Sequence, residues 1–326
     1  MQSIIGLPSN VFLAPMAGIT DRPMREIVHS KGEGNLYSEM VAINAVQYKN
    51  PKSYRIADVR DEKYPVIVQL VGNDENLFSE VAKLVADLGA YSLDINMGCP
   101  VKKIVSNKSG SYLMKDMDKA AKIIEKTVNA TKLKVSVKFR KGWDANSVNA
   151  VEFAKMCENA GAAYITVHGR TKSQMYSGSA DWNIIKEVKE NVKIPVIGNG
   201  DITSVQKAKE MLEYTNADGV MVARGALGNP WLISDIHNAL SGKDVLLKNT
   251  DINELKSTLV CHIKKLIEYY GERLGISISR KYVCWYSKNL RDAKKFRELY
   301  MKIDNYNASM QAIEEFFCSE NLGEAI

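Results

Sequence analysis

Eight short apolar runs, separated by segments of helical periodicity, constrain this chain more than any other feature. They fall at residues 11–14, 36–38, 66–70, 91–95, 134–138, 164–167, 194–197 and 219–222. Most are rich in β-branched residues and do not alternate cleanly with polar ones, the pattern of parallel strands covered on both faces. Between two of them Leu77, Phe78, Val81, Leu84, Val85 and Leu88 recur at helical spacing and stop at Gly89. Asp118 and Thr203 stand where helix N-caps are expected. Three runs are entered through similar turns: Leu88-Gly89-Ala90, Ala160-Gly161-Ala162 and Asn216-Ala217-Asp218. Eight strand–helix units in about 240 residues predict an α/β chain whose residues 1–241 form a (β/α)₈ (TIM) barrel rather than a doubly wound sheet.

The pattern then changes. Residues 242–250 are polar and contain glycine, as a linker does. Beyond them Ile252, Leu255, Leu259, Ile263, Leu266 and Tyr270 form one helical face, with Asp251 as its cap and His262 as a structural residue within it. Further helices are predicted over 277–289, 292–303 and 307–318, so 251–326 reads as a small helical bundle. From Lys256 to Lys302 twelve Lys or Arg face only four acids, whereas the whole chain carries +6. The basic excess therefore belongs to the C-terminal fifth, and the rest is slightly acidic.

No apolar run approaches the roughly 18–20 residues of a membrane span. The opening Met1-Gln2-Ser3-Ile4-Ile5-Gly6 lacks the basic start and apolar stretch of a signal peptide. Five cysteines, odd in number and widely spaced, do not form a disulfide framework, and His29, His168, His237 and His262 show no zinc-site spacing. A cytoplasmic, metal-free, monomeric protein is expected.

In such a barrel, chemistry sits at the C-terminal ends of the strands. Those positions carry Ala14-Pro15-Met16-Ala17-Gly18, Ser38-Glu39-Met40, Gln69, Asn96 ahead of Cys99, Lys138 with Arg140, His168-Gly169-Arg170-Thr171, Gly198-Asn199-Gly200-Asp201 and Ala223-Arg224-Gly225. The last two groups make a phosphate cradle, because glycine lets backbone N–H groups approach an anion and Arg224 adds charge. A flavin ring presents carbonyl and N–H edges that the Gln69 amide can read. Its reduced form carries negative charge that Lys138 can stabilise.

Cys99 lies between Gly98 and Pro100, just past a strand end, where packing seldom calls for a thiol. An ordinary thiol, with a pKa of about 8.5, stays protonated at neutral pH where a carboxylic acid does not. Such a group can hand one proton to a carbanion-like centre. Cys157, Cys261, Cys284 and Cys318 fall in helical patterns and are assigned to packing.

Together these motifs resemble one family. The runs Ala14-Pro15-Met16-Ala17-Gly18-Ile19-Thr20-Asp21 and Asn96-Met97-Gly98-Cys99-Pro100-Val101-Lys102-Lys103 are similar to the opening and active-site signatures of tRNA-dihydrouridine synthases. His168-Gly169-Arg170-Thr171, Tyr176-Ser177-Gly178, Ala180-Asp181-Trp182, Gly198-Asn199-Gly200-Asp201-Ile202 and Ala223-Arg224-Gly225-Ala226 continue the resemblance along almost the whole chain. Arg280-Lys281-Tyr282 with Trp285-Tyr286 is similar to the bacterial B-type branch. Tyr282 departs from the His common there, and the loop 106–112 is less rich in Gly and Ala than in relatives.

The resemblance implies FMN as cofactor, NADPH as reductant and uridine in tRNA as substrate. A hydride from the flavin would add at C6 of uracil, and Cys99 would protonate C5. Pro15, Met16, Ala17, Gln69, Lys138, His168, Asn199, Gly200, Asp201, Ala223 and Arg224 would hold the flavin. Asn96, Arg170, Arg280, Lys281, Trp285 and Tyr286 are candidates for contact with tRNA, the last four because aromatic and basic residues interleave there. A flavin reductase of a free pyrimidine and a non-catalytic RNA-binding barrel are the alternatives.

Overall fold

The computed structural model describes residues 4–243 and 251–320. Eight parallel strands close into a barrel in sequence order, with β1 pairing both β2 and β8. They are β1 (Val11–Leu13), β2 (Asn35–Ala42), β3 (Val66–Val71), β4 (Ser92–Met97), β5 (Val135–Arg140), β6 (Tyr164–His168), β7 (Val196–Asn199) and β8 (Gly219–Val222). Every expected run became a strand. Several extend further toward the barrel mouth than the apolar residues alone indicated, because their last residues are polar and face inward.

The helices around the barrel are α1 (Arg22–His29), α2 (Ile43–Gln47), α3 (Pro51–Ala57), α4 (Glu75–Asp87), α5 (Lys102–Ser106), α6 (Met117–Ala130), α7 (Ala150–Asn159), α8 (Trp182–Asn191), α9 (Val205–Thr215) and α10 (Leu232–Leu240). Two caps fall beside the expected residues. Asp116, not Asp118, accepts from the backbone of Lys119, and Ser204, not Thr203, accepts from Lys207. In each case the residue adjoining the first helical turn is the one whose oxygen reaches the free N–H groups.

Strand alternation sorts the core into two shells. Leu93, Ile95, Met97, Val135, Val137, Phe139, Ile165 and Val167 point outward into the layer between sheet and helices. Phe12, Tyr37, Ile67, Tyr164, Ile197 and Met221 point inward and fill the N-terminal half of the barrel. The hydroxyls of Tyr37 and Tyr164, both fully buried, bond each other at 2.8 Å across that plug. Each such side chain contributes on the order of 2 kcal/mol by burial, so the lower barrel is a packed core and not a channel.

The C-terminal helices are α11 (Ile252–Tyr270), α12 (Glu272–Tyr286), α13 (Ala293–Tyr300) and α14 (Tyr306–Glu320). Asp251 caps α11 as expected. The expected linker 242–250 lies outside the described residues from 244 onward. Helix α11 packs on α12 and on α1 of the barrel. Polar contacts reinforce the seam: Lys265 pairs with Glu26 at 2.6 Å, Trp231 Nε1 donates to Glu254 at 2.7 Å, and Lys31 donates to Thr258 at 2.7 Å. His262 is fully buried between Tyr282 and Tyr286, where burial pushes its pKa down to about 3. It is structural, as its place on the apolar face implied.

Candidate active site

The same alternation that fills the lower barrel with aromatics fills its upper half with polar groups. On β4 the inward side chains are Ser92, Asp94 and Asn96; on β5 they are Ser136, Lys138 and Arg140; on β6 Thr166 and His168 lie above Tyr164. Asn199 ends β7 and Gln69 stands on β3. The Lys138 ammonium donates to Asn199 Oδ1 at 3.0 Å, and Asn199 Nδ2 donates to the Met221 carbonyl at 2.8 Å. The β8 backbone therefore fixes which face of the Asn199 amide Lys138 meets.

Cys99 sits on a turn held from several sides. Asn96 Oδ1 accepts from the backbone N–H groups of Gly98 at 3.2 Å and Cys99 at 2.9 Å. The Cys99 carbonyl accepts from the backbone N–H and hydroxyl of Ser111 at 3.1 and 2.9 Å. Gly110, with φ +61°, permits that approach, since a Cβ there would lie 2.9 Å from the Cys99 carbonyl oxygen. Arg140 Nε donates to the Gly98 carbonyl at 2.8 Å. Burial pushes the thiol pKa up, opposed by a backbone hydrogen bond at Val101 and by the charges of Arg140 and Lys138. The sulfur is half-buried, positioned, and protonated at neutral pH.

Positive charge begins beside the thiol, with Lys138 and Arg140 on β5, and continues to Arg170 after β6 and Arg224 after β8. His168 is held neutral, first by burial and then by Lys138, Arg140, Arg170 and Arg224 around it. Burial, with Arg140 beside it, lowers the Lys138 pKa to about 8. Asp94, with no exposure, is pushed up to about 7 by burial, against hydrogen bonds from Ser136 and Gln69 and the charge of Lys138. Gly200 has φ +132°, and a Cβ there would lie 2.5 Å from that of Ala180 and 3.3 Å from His168. The chain can take this path only without a side chain. Asp201 follows with φ +58°, and its carboxylate binds Arg170 at 2.8 and 2.9 Å and the Ala180 N–H at 2.7 Å. Arg224 remains half-exposed beside it. Backbone bare of a side chain at Gly200, several cations and a neutral imidazole at the strand ends suit a planar cofactor with an anionic tail, as flavin is. Lys138, His168, Asn199, Gly200, Asp201, Ala223 and Arg224 stand at or just past the ends of β5 to β8, with Pro15, Met16 and exposed Ala17 following β1.

Not every candidate faces the mouth. Gln69 is fully buried, its amide bonded to Asp94 and Asn96. Arg170 is a buried strut, donating to Ser177 and Gly178 carbonyls as well as to Asp201. Arg280 donates to the Ile303 carbonyl at 3.0 Å, and Lys281 to the Gly18 carbonyl. Tyr286 is buried with its hydroxyl toward His262, and Trp285 packs edge-on against Tyr282. The aromatic–basic interleaving therefore reflects the inner face of α12, where residues three and four apart meet the core. Tyr286 is a core residue as placed, not a stacking platform for a base. Exposed cations follow in the chain, at Lys288, Arg291, Lys294, Lys295 and Lys302. Cys157 packs as expected, whereas Cys261 and Cys318 are exposed.

Tyr282 donates its hydroxyl to the Ile19 carbonyl at 2.9 Å, and Tyr270 donates to Asp21 at 3.0 Å. A Cβ on Gly228 would lie 2.4 Å from the Trp285 carbonyl oxygen. Helix α12 thus rests on the loops after β1 and β8, the two that flank one quarter of the mouth. Residues the sequence reading did not assign to the site are Arg140, Asp94 and Tyr176. The last is 56% exposed, with Arg140 and Arg224 over its ring at 5.7 and 5.4 Å. The signal for the first two was present, since 92–97 and 135–140 alternate strictly between polar and apolar residues.

The fold is a (β/α)₈ barrel whose C-terminal end presents a half-buried thiol and several cationic side chains. A family model described as dihydrouridine synthase matches residues 12–321. A probable tRNA-dihydrouridine synthase of Rickettsia conorii is 46% identical over 317 residues, covering 97% of this chain and 95% of its own. The tRNA-dihydrouridine synthase B of Vibrio vulnificus is 40% identical over 311 residues, covering 95% and 96%. The chain belongs to the dihydrouridine synthase family. Among solved structures, histamine dehydrogenase from Rhizobium sp. 4-9 shares the fold, with a TM-score of 0.56 at 13% identity over 84% of this chain and 49% of that one. A variant of NCR from Zymomonas mobilis gives 0.52 at 15% identity over 78% and 96%.

Proposed function

We propose that this chain reduces the C5=C6 bond of specific uridines in tRNA to 5,6-dihydrouridine, with bound FMN as the flavin and NADPH as its reductant. The observation that carries this reading is a protonated, tethered thiol at the end of β4 with the cations of β5 directly beside it. Its relatives' names support uridine in tRNA as the substrate.

A bound, reduced flavin would supply the hydride for C6 of uracil. The C4 carbonyl of the base takes up the resulting charge as an enolate, and Cys99 then gives its proton to C5. Burial keeps that proton in place until it is needed, because it disfavours the thiolate. Lys138 would offset negative charge on the ring. Asn199, Gly200, Asp201, Ala223 and Arg224 would hold the ribityl chain and phosphate.

A uridine in folded tRNA must leave its stack to reach this mouth, at a cost of on the order of a few kcal/mol. Phosphate contacts from the helical region 251–326 offset that cost and make binding salt-dependent. The barrel, residues 1–241, is then the catalytic unit and the C-terminal helices are the RNA-contacting unit. NADPH and tRNA use the same opening in turn. No group of three or more potential metal-binding side chains occurs among the described residues, and none of their helices is long and apolar enough to cross a membrane.

Dihydrouridine mapped position by position in tRNA from cells lacking the gene tests the proposal. Loss at defined positions, restored by the purified protein with NADPH, is the expected result. An unchanged map, or reduction of free uracil that survives removal of residues 251–326, would overturn it.

A further inference from the structure

A single chain of hydrogen bonds runs from the barrel interior to the Cys99 turn, and its direction is fixed at the turn. The backbone N–H groups of Gly98 and Cys99 can only donate, so the Asn96 atom facing them is Oδ1. Asn96 Nδ2 must then face Gln69, which presents Oε1 at 2.8 Å. Gln69 is left with Nε2 toward Asp94, and it donates to Asp94 Oδ2 at 2.7 Å. Ser136 donates to the other oxygen, Oδ1, at 2.6 Å. Gln69 and Asp94 have no exposure and Asn96 only 9%, so no solvent competes for these bonds. An amide can flip wherever both its ends find partners. Here a flipped Gln69 would turn its oxygen against a carboxylate oxygen and its NH₂ against that of Asn96.

We propose that Asp94 is a positioning residue for the reacting thiol: its carboxylate locks Gln69, Gln69 locks Asn96, and Asn96 holds the turn that presents Cys99 at the mouth. Asp94 touches neither substrate nor cofactor in this role. It acts at three removes, by supplying the acceptor that holds buried Gln69 Nε2 and so keeps Gln69 Oε1 against Asn96. The inference rests on Cys99 being the reacting residue, as proposed above. A carboxylate is not the only group that serves. Asn at position 94 can offer its oxygen to Gln69 and its NH₂ to Ser136, whose hydroxyl then turns to the Leu93 carbonyl already 3.3 Å away. Alanine offers neither.

The test is the rate at which iodoacetamide alkylates Cys99 in the flavin-loaded protein, followed by peptide mass spectrometry so that exposed Cys261 and Cys318 do not interfere. This readout reports the position and burial of the turn whatever Cys99 does in catalysis, so it can fail independently of the functional proposal. In Asp94→Ala the alkylation rate at pH 8 should rise about tenfold or more. The midpoint of its pH profile should fall toward that of an ordinary thiol, about 8.5. Asp94→Asn should match the parent in both respects. Asn96→Ala should show the same change as Asp94→Ala, and the double variant should add nothing further, because both cut one chain. If Asp94→Ala does not fold, Gln69→Met cuts the chain midway and carries the same expectation. Unchanged alkylation in Asp94→Ala or Gln69→Met, an Asn variant as disturbed as the Ala variant, or additive effects in the double variant would overturn the assignment.

Discussion

Arg140 donates through Nε to the carbonyl oxygen of Gly98 at 2.8 Å, tying the end of β5 to the residue immediately before the thiol. The same guanidinium reaches the Thr171 and Met175 carbonyls at 2.9 and 2.8 Å through Nη1. One planar cation therefore joins the Cys99 turn to the loop that follows β6. Lysine, with a single compact charge, cannot span three carbonyls in this geometry. Arg140→Lys should lower single-turnover reduction of tRNA by about tenfold or more, while reduction of the flavin by NADPH changes little. Rapid-mixing absorbance of the two half-reactions checks this; equal losses in both would show that Arg140 serves the flavin instead.

Asp94 sets a pH dependence of stability. Its pKa is raised from 3.8 to about 7 in the folded state, so between those values the folded state binds more protons than the unfolded one. Stability contributed by this group is therefore greatest at low pH, is lost as pH rises to about 7, and is constant above that. Asp94→Asn, neutral throughout, removes this loss. The melting temperature of the variant relative to the parent should rise between pH 4 and pH 7 and level off beyond it. The limit is roughly 4 kcal/mol if every hydrogen bond is kept. A relative stability that falls over the same range would contradict the buried carboxylate.

Glycine at position 200 is required by two constraints at once, its φ of +132° and the 2.5 Å that would separate a Cβ from Ala180. Gly200→Ala should displace the backbone just past the end of β7. Flavin affinity, read by fluorescence quenching on titration, should fall by about tenfold or more, with a fold still intact by circular dichroism. An unchanged affinity would place the anionic tail elsewhere.

The exposed cations proposed to face RNA are separate from the buried face of α12. Replacing exposed Lys288, Lys294 and Lys302 by alanine should weaken tRNA binding and lower its salt slope, by about 0.7–0.9 for each phosphate no longer neutralised. Tyr286→Phe, altered only at a buried hydroxyl, should leave the slope unchanged. Binding isotherms at several salt concentrations distinguish them. A larger effect from Tyr286→Phe would restore that residue to the RNA interface.

Much of this molecule was legible in its residues. All eight strands announced themselves as apolar runs because both faces of a barrel sheet are buried, and Cys99 between Gly98 and Pro100 had no packing reason to be a thiol. What was missed has a common cause. Asp94 and Arg140 are charged, and charge along a chain reads as surface; only closure of the barrel turns the polar half of an alternating strand into an interior. The converse situation arises on α12. Trp285 and Tyr286 beside lysines resemble a nucleic-acid contact, yet helical spacing aims Tyr282 and Tyr286 at the core and leaves Lys288 outside. Position 282 shows the same effect, since Tyr282 spends its hydroxyl on the Ile19 carbonyl and so joins the C-terminal helices to the loop after β1.

The central claim is that Cys99 donates a proton after hydride transfer and plays no part in holding the flavin. Cys99→Ala tests it most directly, by flavin absorbance, by the rate of reduction with NADPH, and by dihydrouridine formed per turnover on tRNA. The account predicts a yellow protein reduced at close to the parental rate that forms dihydrouridine at least about a hundredfold more slowly, within the 10²–10⁴ range of general acid catalysis. A colourless protein, or one that reduces tRNA at the parental rate, would contradict it.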